Sequence, residues 1–151
     1  MPIEIPPGTN GMQPNLSLTY NSQAGDGIAG YGWNISGYSA ISRAGRNFFH
    51  NGRATPVNYT NTNDAFQLDG QRLFAITGNS GADSTVYGTE AETFSKIESF
   101  GGTEISGPDW FKVTAKDGTI MEFGHGSNTK LFTDNGQSTA IWLLNRICRQ
   151  K

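Results

Sequence analysis

The chain has 151 residues, with 11 Lys and Arg against 13 Asp and Glu, so its formal charge of −2 gives no electrostatic case for a nucleic-acid or anionic-membrane partner. Gly, Thr, Asn and Ser number 60, hydrophobic residues make up 35% and charged residues only 16%, which excludes an acidic disordered tail and a helical chain built on Glu, Lys and Ala. Aromatics at 11% supply core volume in their place, and a turn-rich, Thr-rich, aromatic-rich chain of this length reads as one all-β domain of mainly antiparallel sheets.

From the N-terminus, period-two alternation predicts short strands at Ile3–Ile5 and across Asn15–Asn21, where Leu16, Leu18 and Tyr20 share a face expected to be buried. Gln23–Gly37 is punctuated by Gly25, Gly27, Gly30, Gly32 and Gly37 and reads as glycine-shaped turns around Tyr31 and Trp33. Further strands are predicted at Ser39–Arg43, Ala65–Leu68, Gln71–Ile76, Thr85–Tyr87, Phe94–Ser99, Trp110–Lys116, Thr119–Phe123, Lys130–Thr133 and Ser138–Ile147. Asn51–Asn63 reads as a polar stretch, Thr77–Ser84 as a flexible loop, and Ala91–Ser95 as the best place for a short helix.

Two Asp-Gly pairs set hairpin registers. At Asp69-Gly70 a two-residue type I′ loop pairs Phe66 with Leu73 and Gln67 with Arg72, keeping each face chemically uniform. At Asp117-Gly118 the same loop would set Val113 against Glu122. A three-residue loop, Lys116-Asp117-Gly118, instead pairs Phe111 with Phe123, Val113 with Met121 and Lys112 with Glu122. Ser138–Cys148 is the most apolar run, and no turn or partner strand follows it. It is therefore expected to pair with chain outside this sequence, or with a second copy by self-association, and the domain is expected to be truncated at its C-terminal end.

Candidate chemistry is sparse. Gly25-Asp-Gly-Ile-Ala-Gly30 matches G-x-G-x-x-G, but Tyr31-Gly32-Trp33 is a poor helix start for holding pyrophosphate. Glu90-Ala91-Glu92 matches the paired-glutamate motif of arginine-directed ADP-ribosyltransferases but lacks the upstream Arg and Ser-Thr-Ser strand, so solvated glutamates are expected. His50 and His125 lack companions at metal-ligand spacing, Asn61, Asn63 and Asp64 lack a calcium-loop pattern, and the lone Cys148 excludes a disulfide framework and reads as a small core hydrophobe. The clusters Arg43, Arg46, Arg53 and Arg146, Arg149, Lys151, and the six acids against one Lys between Asp83 and Asp109, read as solvated faces. No cofactor, metal or catalytic residue is expected. No stretch approaches the roughly 18 apolar residues of a membrane span, and MPIEIPPG lacks the basic and apolar regions of a Sec signal.

Ile5-Pro-Pro-Gly-Thr-Asn-Gly11, Gln13-Pro-Asn-Leu-Ser-Leu-Thr-Tyr-Asn-Ser22, Gly30-Tyr-Gly-Trp33 and Ser36-Gly-Tyr-Ser-Ala-Ile-Ser-Arg43 resemble the opening of the SpvB-type domain, which begins virulence-plasmid toxins, Tc insecticidal toxin B components and Rhs or YD-repeat proteins. Asp64-Ala-Phe-Gln-Leu-Asp-Gly70, Lys116–Gly124 and Trp142–Ile147 are similar to its later segments. The resemblance implies structural roles for Pro6, Pro7, Gly8, Gly11, Pro14, Leu16, Tyr20, Gly30, Gly32, Trp33, Arg43, Phe66 and Gly70. It also implies that the chain is a non-catalytic N-terminal module of a secreted bacterial toxin. Its partners would be the remainder of its own polypeptide and companion toxin subunits, and it would form part of a β-shell around a C-terminal toxic segment. A carbohydrate- or surface-binding β-domain is the alternative, with Tyr38, Tyr59 or Tyr87 as stacking residues.

Overall fold

The computed structural model describes residues 1–8, 15–23, 26–27, 29–59, 64–91, 95–103, 106–134 and 136–149. The chain divides into two compact units, Met1–Tyr38 and Ser39–Lys151.

In the first unit, β1 (Ser17–Tyr20) pairs antiparallel with β4 (Trp33–Ser36), setting Leu18 opposite Ile35 and Tyr20 opposite Trp33. Between them β2 (Asp26–Gly27) and β3 (Gly30–Tyr31) form a small hairpin in which Gly27 lies opposite Gly30. The glycine-punctuated stretch thus contains three short strands that its composition hid. Ile3–Ile5, expected as a strand, is reduced to a single bridge from Pro2 to Ser17 with Ile3 N–H donating to Leu16 O. Pro2, Pro6 and Pro7 carry no N–H, so this segment lacks the donors for a continuous ladder.

The second unit is built from β5 (Ala40–Ala44), β6 (Ala65–Leu68), β7 (Gln71–Thr77), β8 (Val86–Thr89), β9 (Lys96–Phe100), β10 (Trp110–Thr114), β11 (Thr119–Phe123), β12 (Lys130–Phe132) and β13 (Thr139–Arg149). Consecutive strands from β5 to β11 pair antiparallel. β13 then pairs with β5 through Ile141–Leu143 and with β11 through Leu144–Arg149, which closes an eight-stranded barrel. Leu144 N–H donates to Ser39 O while Gly124 N–H donates to Leu143 O, so the two neighbours sit on opposite edges of β13. β12 lies alongside as a hairpin partner of the front of β13. The expected unpaired C-terminal strand is therefore corrected: β13 is the staple of the barrel, and its apolar run is explained by pairing on both sides within this chain. The mainly antiparallel all-β fold class stands.

Both Asp-Gly hairpins take the registers that face chemistry demands. Phe66 faces Leu73 and Gln67 faces Arg72 across a two-residue loop with Asp69 at φ 49° and Gly70 at φ 85°. Phe111 faces Phe123 and Lys112 faces Glu122 across a three-residue loop with Gly118 at φ 82°. The inward sides of these strands meet in one cluster, Ile41, Phe66, Leu73, Tyr87, Ile97, Phe111, Val113, Phe123 and Trp142. Phe66, Phe111 and Trp142 pack edge to face, with centroids 5.2–5.6 Å apart, the geometry aromatic quadrupoles favour. An eight-stranded barrel is just wide enough for side chains to fill it, and here aromatic rings do so.

Local composition misled at the 78–85 loop and at Cys148. The 78–85 loop is pinned rather than loose: Gly81 N–H donates to the Tyr87 hydroxyl (2.7 Å), Thr85 Oγ1 to Asn79 O (2.6 Å) and Ser99 Oγ to Ala82 O (2.7 Å). The described α-helix is a single turn, α1 (Phe48–Asn51), while the expected helix at Ala91–Ser95 falls largely outside the described residues. Cys148 lies opposite Ile120, one residue off the inward Ile147–Met121 pair, so it is half-buried on the outer side and not in the core.

Candidate functional site

One end of the barrel is sealed by a charged plug. Arg43 follows Ile41 by two on β5, so alternation aims it inward, where its side chain is 1% exposed. Its Nη1 lies 3.3 Å from Asp64 Oδ2, its Nε donates to Thr139 O (2.7 Å) and its Nη2 to Ser106 O (3.4 Å). The guanidinium carbon lies 5.5 Å from the Phe66 ring centroid and 5.7 Å from that of Trp142, within cation–π range. Asp64 is also fully buried, and its Oδ1 accepts from Asn58 N–H (2.9 Å). Burial lowers the Arg43 pKa from its ordinary value, and Asp64 pulls in the opposite direction. A guanidinium keeps its proton even so. Arg43 reaches strands and loops far apart in sequence, so it ties β5, the start of β13 and the 106–108 segment together. At Gly107, where φ is +84°, a Cβ would lie 2.4 Å from Arg43 Nη2, so only glycine fits against the plug. Trp142 Nε1 donates to the neighbouring Pro108 O (2.9 Å), leaving the indole N–H satisfied inside an apolar core.

The other motif residues fall into distinct settings. Phe66 is fully buried in the barrel, and Gly70 forms the β6–β7 turn. Tyr20 and Trp33 are cross-strand partners with ring centroids 5.0 Å apart, and a Cβ at Gly32 would strike Tyr20 Cε2 at 2.7 Å. Yet Tyr20 is 57% and Trp33 39% exposed, so the expectation that Leu16, Leu18 and Tyr20 form a buried face is corrected. Leu16 and Leu18 are half-buried and the tyrosine lies open. Pro6, Pro7 and Gly8 are exposed, Gly30 has φ 113°, and Gly11 and Pro14 lie outside the described residues.

The remaining candidates separate in the same way. Gly30–Tyr31 is strand, so no helix N-terminus follows the G-x-G-x-x-G letters. Glu90 lies in a cleft with Arg72, which gives it the cationic neighbour that the sequence did not reveal; Glu92, Asn61 and Asn63 lie outside the described residues. His125 sits with Nδ1 3.3 Å from Glu122 Oε2 and its ring 4.5 Å from Trp110, whose other neighbour Phe100 stacks at 4.4 Å and 16°. Among the described residues no group of three His, Cys, Asp or Glu could hold a metal. Tyr87, named as a sugar-stacking residue, is 1% exposed and belongs to the core; Tyr38 and Tyr59 are open at 38% and 42%. Sequence reasoning missed Asp64 as the counter-ion of Arg43. The signal was faint: an acid immediately before the apolar strand Ala65–Leu68, which pairs with β5.

Among the described residues no helix is long and apolar enough to cross a membrane. No curated protein matches the chain. Among solved structures, the N-terminal domain of the effector protein SpvB from Salmonella typhimurium strain LT2 is similar with a TM-score of 0.69 and 22% identity, over 99% of this chain and 50% of that one. A chain in the crystal structure of TcdB2-TccC3-Cdc42 is similar with a TM-score of 0.66 and 23% identity, over 96% of this chain and 7% of that one. At such identities these likenesses establish the fold, and this chain spans half or less of each neighbour. The family model described as Salmonella virulence plasmid 65kDa B protein matches residues 1–151, and with an opening motif set, a barrel and neighbours all of one kind, the chain belongs to the SpvB family.

Proposed function

We propose that this chain is a non-catalytic structural module at the front of a secreted bacterial toxin or Rhs-type protein, and that it builds part of the wall that encloses or delivers a C-terminal toxic segment. The family match over the whole chain supports a toxin-associated module, and the two neighbours are each longer than this chain. The observation that carries the structural reading is the barrel interior. There the side chains of Arg43 and Asp64 are bound to each other and to backbone groups, and both are shielded from water. A reacting group must meet substrate, and this pair meets only the fold. Family membership also supports partners within the same polypeptide or companion subunits, with secretion as the destination.

The experiment is limited proteolysis of the full-length protein. With the module intact, the C-terminal segment should stay protected. Replacing Trp142 with Asp, which opens the barrel core, should expose that segment to protease and abolish its delivery to target cells. Unchanged protection and unchanged delivery in the opened variant would refute the wall role.

A further inference from the structure

Outside the barrel, the β6–β7 hairpin is overhung by the segment after β5 and by residues 90–91, leaving a cleft of about 480 Å³. That is ample for one sugar ring, within the usual range of small-molecule sites. Its polar lining is Asn47, Gln67, Gln71, Arg72 and Glu90, interrupted by Gly45 and Gly70. Side-chain amides both donate and accept, which matches the needs of vicinal hydroxyls.

Arg72 organises the cleft. Its Nη1 donates to Gly45 O (3.1 Å) and its Nη2 to Asn51 Oδ1 (2.5 Å), so the guanidinium plane is held while three of its five N–H donors remain for a ligand. The side chain is half-buried and covers Phe74. Partial burial and nearby Arg46 both disfavour its charge, and Glu90 offsets them only in part. Arg72 and Glu90 are the charged residues of the lining, so the donors that Arg72 keeps, and not a net charge, are what the cleft offers an anion.

We propose that this cleft binds a sugar acid, a pyranose carrying a carboxylate, with the carboxylate on the free donors of Arg72 and the ring hydroxyls on Gln67, Gln71 and Asn47. A fixed guanidinium favours bidentate carboxylate recognition over a point anion, and the amides distinguish a hydroxylated ring from a simple carboxylate. Glu90 opposes the ligand's charge and lowers the affinity, so the site is weak by construction and suited to multivalent contact with an acidic glycan surface.

The test is a titration of the 151-residue chain, followed by amide chemical shifts, with methyl β-D-glucuronide, methyl β-D-glucoside and sodium acetate. The glucuronide should perturb Asn47, Gln67 and Arg72 with a Kd near 1 mM, the scale for a ligand of about a dozen heavy atoms in a shallow site. The glucoside and acetate should each bind at least about tenfold more weakly, as should the glucuronide to Arg72→Gln. Glu90→Gln should tighten glucuronide binding about threefold, a gain that damage to the fold cannot produce. Saturable binding of acetate at the same strength would show an anion site only and overturn the sugar assignment. Equal binding of the glucoside, no perturbation by 50 mM glucuronide (roughly fifty times the expected Kd), or a Glu90→Gln variant that binds no tighter would each overturn the proposal.

Discussion

Replacing Arg43 with Met keeps the length and apolar packing of the side chain against Phe66 and Trp142 but removes its charge. The Asp64 carboxylate, 0% exposed, then remains in the barrel wall without its counter-ion, and Thr139 O and Ser106 O lose a charged donor. Breaking one side of a buried pair costs about 3–5 kcal/mol, chiefly through the stranded charge. Against a total stability of about 5–15 kcal/mol, that brings the chain close to unfolding. For a chain of this size it corresponds to a fall in Tm of roughly 10–15 °C. Urea unfolding of Arg43→Met, Asp64→Leu and the double variant closes the cycle. The double variant should recover at least half of the larger single loss, because no ion is left behind. A single Arg43→Met loss below about 1 kcal/mol, or a double variant whose losses simply add, would refute the view that a stranded charge dominates.

Two further outcomes follow from the loops. Tyr87→Phe leaves the ring in the core but takes the acceptor from Gly81 N–H, so it should cost about 1 kcal/mol and raise hydrogen exchange across 78–85 with little change at β10 and β11. The Asp117 carboxyl is held below its ordinary 3.8 by the Thr119 backbone N–H, then by the Thr119 side chain, with Arg149 adding less. A depressed acid contributes stability above its unfolded value that is lost as pH falls through the folded one. The β10–β11 turn should therefore loosen only below about pH 4, and Asp117→Asn should remove that pH dependence; amide exchange at Thr119 reads both.

Strand positions and the two Asp-Gly registers were legible in the amino-acid sequence because they rest on neighbours. Alternation assigns a side to each residue, and Phe66 against Leu73 or Phe111 against Phe123 is decided by a loop of two or three residues. Residue motifs carried the family for the same reason, being local strings. What joins distant segments was not written locally. The closure of β5 onto β13, the Arg43–Asp64 pair and the Arg72 cleft each bring together residues 21 to about 100 positions apart, and nothing in either segment names the other. Local reading erred wherever a segment found its partners elsewhere in the chain. Thr77–Ser84 reads as loose until the Tyr87 hydroxyl and Ser99 arrive from β8 and β9, and Ser138–Cys148 reads as a strand without partners until the barrel closes around it. Backbone groups must be satisfied somewhere, and only the tertiary structure decides by whom.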